Sequence, residues 1–240
     1  MPLPKINTPT YELELPSTGK KIRYRPFLVR EEKILIMALE SEDMKQITDA
    51  IVQILSDCIQ TKSVNVSELS TFDIEYLFLN VRAKSVGETV EVNITCPDDG
   101  ETSVQMEIEI DSIKVQKNKD HKNVIKLDEN LSMKLKYPSL EQFVENNFET
   151  NEQTSDVNKS LSMITSCIDM IYDSEESWSA ADCTKKELDE FLEQLNTKQF
   201  KEIETFFTTM PKLSHTVKVK NPNTKVESEV VLEGLASFFS

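Results

Sequence analysis

Apolar and polar residues alternate at Tyr11-Glu-Leu-Glu-Leu15, stop at Pro16-Ser-Thr-Gly19 and alternate again at Ile22-Arg-Tyr24-Arg-Pro26. This pattern predicts a β-hairpin whose second strand is closed by Pro26. Residues Phe27 to Glu40 read as a helix. The next segment is a cleaner helix, because Ile47, Ile51, Ile54, Leu55, Cys58 and Ile59 repeat on one face of a 3.6-residue period. A third helix, Thr71 to Ala83, follows a cap at Ser67 or Ser70. Its apolar residues, Phe72 to Val81, lie on more than one side and predict a central position. Period two returns at Val90, Val92 and Ile94, turns at Cys96-Pro-Asp-Asp-Gly100, and continues at Val104, Met106, Ile108 and Ile110. This is the strongest hairpin signal in the chain.

Lys114 to Lys122 reads as a polar connector, and the residues beyond it resemble a second pass through the same plan. Val124 to Leu127, the turn Asp128-Glu-Asn130 and Leu131 to Pro138 repeat the first hairpin, including the closing proline. Leu140, Phe143, Val144 and Phe148 predict a short helix, and Glu149 to Ser155 a polar loop. Leu161, Ile164, Cys167, Ile168 and Ile171 predict one further helical face. An acidic insertion near 173–185 carries Trp178, and two more helices are expected at Lys186 to Leu195 and Thr197 to Thr209. The last hairpin is Val217 to Lys220, a turn at Asn221-Pro-Asn-Thr224, and Val226 to Leu232. The expected fold is α+β, in two similar halves, 1–117 and 118–240, each with hairpins flanking a small helical cluster. Matched element order and matched X-Pro turns point to an internal duplication.

Composition narrows the function. The 240 residues hold 27 Lys and Arg against 42 Asp and Glu, a net charge of −15. Such a chain repels nucleic acid and anionic lipid, so neither is an expected partner. The four glycines are isolated, which excludes a Gly-rich phosphate cradle. The longest apolar stretch, Ile34 to Leu39, is too short to span a membrane, and a soluble, cytosolic protein is expected. Cys58, Cys96, Cys167 and Cys183 have no CxxC spacing. Cys58 and Cys167 fall on apolar helix faces as small core residues, and no disulfides are expected. Cys96-Pro begins like a zinc-ribbon knuckle, but Asp99 stands where the second thiolate belongs, so a plain turn is expected. His121 and His215 lie in a polar connector and at a strand start, without a catalytic context. No catalytic residue, cofactor or metal is therefore expected.

Two charge clusters stand out. Lys20, Lys21, Arg23, Arg25, Arg30 and Lys33, opposed by Glu31 and Glu32, give a local +4, whereas Asp169 to Glu193 give a local −7. The basic cluster suits either a protein partner or a solvated hairpin edge. The acidic run reads as a solvated helix face. Leu232, Leu235, Phe238 and Phe239 keep the chain's end apolar, for docking on its own core or into a partner.

The strings Leu15-Pro-Ser-Thr-Gly-Lys-Lys-Ile-Arg-Tyr-Arg-Pro-Phe-Leu-Val-Arg-Glu-Glu-Lys-Ile-Leu35, Phe72-Asp-Ile-Glu-Tyr-Leu-Phe-Leu79, Arg82-Ala-Lys-Ser-Val-Gly87, Met210-Pro-Lys-Leu213 and Leu232-Glu-Gly-Leu235 carry a resemblance. With the closing Phe238-Phe239, they resemble the baseplate hub assembly proteins of T-even-type contractile-tailed bacteriophages. The likeness spans nearly the whole chain and departs from the family's ribbon-like pattern at Asp99. It implies a non-enzymatic protein that binds other baseplate hub proteins in the host cytoplasm, as an assembly factor or chaperone, or as a permanent hub subunit. Partner-binding candidates are Lys20, Lys21, Arg23, Arg25, Arg30, Lys33, Phe238 and Phe239.

Overall fold

The X-Pro pairs of the sequence become a single turn design used three times in the computed structural model, which describes residues 6–140, 142 and 156–238. The first turn joins β1 (Tyr11–Glu14) to β2 (Lys21–Tyr24), with Leu13 opposite Ile22. The second joins β3 (Thr89–Thr95) to β4 (Ser103–Glu109). In each turn the N–H four residues on closes onto the carbonyl of the residue before proline: Gly19 onto Leu15 at 2.8 Å, Gly100 onto Cys96 at 2.9 Å, Lys225 onto Asn221 at 3.0 Å. The closing residue has positive φ in all three, +70°, +69° and +65°. Glycine reaches that region freely, whereas Lys225 does so at a cost of about 1 kcal/mol. Leu15, Cys96 and Asn221 are buried, so each turn is anchored from beneath.

Between the first two hairpins lie α1 (Val29–Glu40), α2 (Met44–Cys58) and α3 (Thr71–Ala83). The Asp43 carboxylate caps α2 by accepting the N–H groups of Lys45 and Gln46. α2 buries Ile51, Ile54, Leu55 and Cys58, the predicted stripe. α3 buries Phe72, Ile74, Leu77, Phe78, Leu79 and Val81, so it is covered on several sides and central. Each such side chain contributes about 1.5–3 kcal/mol. Asp73 ties the first turn to α3, accepting from Ser17 N–H at 2.9 Å and the Ser70 hydroxyl at 2.7 Å.

The connector predicted at 114–122 begins instead with a strand, β5 (Lys114–Gln116). It pairs with the start of β10 (Lys212–Lys220), which pairs in turn with β11 (Glu227–Glu233). Only Val115 is apolar in β5, too little for an alternation signal. This pairing changes the expected division at 118: residues 211–240 group with 1–116 as one compact unit, and 117–210 form a second. The core of the first unit joins β3, β4 and β10 through Val90, Val92, Ile108, Leu213 and Val217.

The second unit holds β6 (Val124–Lys126), β7 (Ser132–Leu135), α4 (Asp156–Cys167), β8 (Ile168–Tyr172), β9 (Ser177–Ser179), α5 (Lys185–Glu193) and α6 (Thr197–Thr209). Its antiparallel sheet has the order β6-β7-β8-β9. Ile168 and Ile171 continue the helical spacing of α4 in sequence, yet they lie in β8, where Ile168 pairs with Leu135 and Ile171 with Met133. The acidic insertion is also corrected. The Asp173 carboxylate accepts from Glu175 and Glu176 N–H to form a tight turn, and Trp178 then pairs opposite Ile171. The predicted helix over Leu140 to Phe148 and loop 149–155 lie outside the described residues, apart from Leu140 and Gln142.

One junction recurs in both halves. Arg25 N–H donates to Cys58 C=O at 3.0 Å, and Lys136 N–H donates to Cys167 C=O at 2.8 Å. Tyr24 bridges Ile59 as Leu135 pairs with Ile168. Leu28 N–H donates to Glu31 Oε2 at 2.7 Å, and Ser139 N–H to Gln142 Oε1 at 3.0 Å. Beyond the junction the halves part, one entering α3 and the other running on as β8.

Candidate protein-binding surface

The basic cluster divides by burial. Arg25 turns inward: its Nη2 lies 2.9 Å from Glu31 Oε1, and its Nη1 donates to Pro26 C=O at 2.9 Å. Arg30 Nε pairs with the same carboxylate oxygen. The Glu31 side chain is fully enclosed and also accepts from Leu28 N–H. Burial pushes its carboxyl up, but the hydrogen bonds from Arg25, Arg30 and Leu28 outweigh it and hold the pKa at about 2. Arg25 and Arg30 therefore hold the start of α1, and Arg25 is withdrawn from the surface. Charge counting along a sequence does not reveal this, because a leucine at position 28 has no side-chain oxygen to mark the helix start.

The remaining cations face outward. Lys20 Nζ donates to Ser63 C=O at 2.8 Å, Arg23 lies 3.9 Å from Glu12 across the hairpin, and Lys21 and Lys33 are exposed. Phe238 is fully buried in the core of its unit, so this residue packs on its own protein. Phe239 lies outside the described residues.

The sequence reading missed the exposed face of α1. Val29 is 79% exposed, Met37 59% and Ile36 49%. At 100° per residue, Val29, Lys33 and Ile36 share one side of the helix, with Arg30 and Met37 flanking it. Ala38 and Glu31 mark the opposite, buried side. An apolar stripe edged by cations can dock a protein surface with apolar and acidic groups.

The family model described as "T4 bacteriophage base plate protein" matches residues 8–240. The chain belongs to that family. Comparison with curated proteins and with solved structures gives no match. Membership in the base plate family implies contact with other baseplate proteins, in the virion or during its assembly in the host. No helix among the described residues of this baseplate protein is long and apolar enough to cross a membrane.

A second polar cluster of the baseplate protein joins two hairpin tips. Asn221, fully buried, donates to Asp98 and Asp99 carboxylates, its Oδ1 accepts from Asn223 and Thr224 N–H, and the Thr224 hydroxyl bonds Asp98. Hydrogen bonds to Thr102 and Asn221 hold the Asp99 carboxyl well below the usual range. Two hairpin tips are locked this way, with Cys96 buried beneath one of them. Among the described residues no group of His, Cys, Asp and Glu could hold a metal ion. Burial pushes the Cys58 and Cys167 thiols up to about 11, away from nucleophilic chemistry.

His121 is not the solvated connector residue that the sequence suggested. Its ring stacks on Tyr137 and lies tilted against Phe206, its Nδ1 lies 2.9 Å from Thr209 Oγ1, and its Nε2 is buried without a partner among the described residues. Burial lowers its pKa.

Proposed function

We propose that this baseplate protein is a non-enzymatic assembly factor, or chaperone, for the central hub of the phage tail baseplate. It acts in the host cytoplasm by binding another hub protein. The carrying observation is the exposed stripe of α1, Val29, Ile36 and Met37, beside Arg30 and Lys33. Lys20, Lys21 and Arg23 supply further cations on the adjoining hairpin, and hydrophobic docking with electrostatic steering fits that combination. The net charge of −15 speaks against nucleic acid or anionic membrane as partner.

Val29→Asp combined with Met37→Asp is expected to reduce co-purification of baseplate partners from infected cells by about tenfold or more, the scale of one lost apolar anchor. Reversing Lys21, Arg23 and Lys33 is expected to weaken it less, and mainly at low salt. Unchanged co-purification by both variants overturns the reading. A permanent hub subunit is the alternative. Mass spectrometry of purified virions separates the two, since stoichiometric presence contradicts a transient factor.

A further inference from the structure

Within the unit formed by residues 117–210, a groove of about 1000 Å³ runs between β6 and α6. Consecutive residues Val124 to Glu129 line one wall. Val124 to Lys126 belong to β6, where side chains alternate between faces and consecutive residues share the backbone edge, and Leu127 to Glu129 lead into the turn. The other wall is one face of α6, where Lys198, Glu202, Thr205 and Thr209 keep helical spacing. The walls are tied at both ends. His121 Nδ1 meets Thr209 Oγ1 at 2.9 Å, and Gln199 Nε2 donates to Leu127 C=O at 2.7 Å. From 121 to 127 an extended chain spans about 20 Å, room for roughly six residues.

β6 is the edge of its sheet. Leu135 N–H donates to Asn123 C=O, and Leu127 N–H to Leu131 C=O. Antiparallel alternation then directs the backbone groups of 123 and 125 and the N–H of Leu127 toward β7, and the groups of Val124 and Lys126 toward the groove. Among the described residues these outward N–H and C=O groups have no partner.

We propose that this edge accepts an extended segment of a partner protein as a fifth strand, and that the segment carries net positive charge with apolar side chains at alternate positions. Strand addition satisfies the open backbone groups, while side-chain contacts select the sequence. Of the apolar residues lining the groove, Ile125, Leu127 and Phe206 are buried, and Val124, partly exposed, supplies the apolar contact. The groove lining holds Lys122, Lys126 and Lys198 against Asp120, Asp128, Glu129 and Glu202, a net charge of −1, within residues 117–210, whose net charge is −8. That field attracts a basic segment and repels a second copy of this acidic chain. The inference rests on the proposed role in binding baseplate partners, but it uses the unit that does not contain α1.

The test uses the full chain and a blocked, fluorescein-labelled peptide of six alternating valines and lysines. Anisotropy is expected to show binding, and hydrogen exchange to show slowed exchange at the Val124 and Lys126 amides. Val124→Pro removes the outward N–H without touching the β7 ladder, as edge strands tolerate. It is expected to weaken binding about tenfold, the scale of one backbone hydrogen bond with its desolvated partner, while Val124→Ala stays within about twofold. A glutamate–valine peptide is expected to bind about tenfold more weakly than the lysine peptide. Absence of protection at Val124 and Lys126 in the unsubstituted protein overturns the proposal whether or not the proline variant folds. Equal binding of the acidic peptide overturns it too, as does a dimer that Val124→Pro dissolves. If groove binding fails while co-purification still depends on Val29 and Met37, the groove alone is wrong; if both fail, the proposed function falls.

Discussion

At residues 25–31 a strand end meets a helix start through a buried carboxylate, whereas at 136–142 the matching place is filled by an amide. Glu31 and Gln142 each accept an N–H three residues before them, and Arg25 and Lys136 each donate N–H to a buried cysteine carbonyl. The carboxylate requires cations, and all four arginines of the chain lie within residues 1–116. Gln142 requires none, and the Lys136 side chain is exposed. The same backbone junction can thus be closed by an ion cluster or by a neutral side chain. The ion cluster costs more to disturb, because removing one member leaves a charge without its partner in a water-poor place.

The sharpest way to break this comparison is Arg25→Met. It is expected to destabilise the first unit by about 3 kcal/mol or more, against about 0.5 kcal/mol or less for Lys136→Met in the second. Urea titration read by Cys58 labelling follows the first unit. Fluorescence of Trp178, the single tryptophan, follows the second. Adding Glu31→Gln to Arg25→Met makes the first junction resemble the second, and about 2 kcal/mol of the loss should return as coupling between the two sites. A purely additive pair would mean that the ion cluster does not act as a unit.

Acid separates the units less forcefully but cleanly. Glu31 is held at about 2, below its ordinary value of 4.5, so its stabilisation is complete above that value and is lost as pH falls toward 2. His121 is a base whose pKa is lowered from 6.5 by burial. Its unfolded form takes a proton first, so the second unit weakens as pH falls below 6.5. The Trp178 transition should therefore move to lower urea between pH 7.5 and 5 while the Cys58 transition holds. His121→Phe, which keeps the ring packing on Tyr137 and Phe206, should flatten that response.

The smallest expected difference lies in thiol chemistry. Cys58 and Cys167 are both fully buried and pushed up to about 11. Both should label slowly and at similar rates in the native chain, with the partly exposed Cys183 labelling first. Arg25→Met should speed Cys58 alone.

Local periodicity made much of the fold legible. The bounds of α3 follow from apolar spacing and from Ser70 before it, and α6 spans the expected Thr197 to Thr209. β8 was hidden because Ile168 and Ile171 extend the period of α4, and only pairing with Leu135 and Met133 makes them a strand. β5 was hidden because its pairing with Lys212 to Ser214 joins segments about 100 residues apart. The surface was legible in charge and not in direction. Lys20, Lys21, Arg23 and Lys33 face outward as a cluster should, but nothing in sequence turns Arg25 onto Glu31. Ile34 to Leu39 is a continuous apolar run, and a run without gaps does not say that Ile36, Met37 and Leu39 are its exposed members.

The proposed role of α1 is tested most directly by methionine oxidation of the free chain and of the chain captured with its baseplate partner. Met37 is largely exposed and Met133 fully buried, so Met37 should oxidise rapidly in the free chain and Met133 should not. In the captured complex Met37 should become about as resistant as Met133. Equal oxidation of Met37 in the free and captured states would contradict docking through α1.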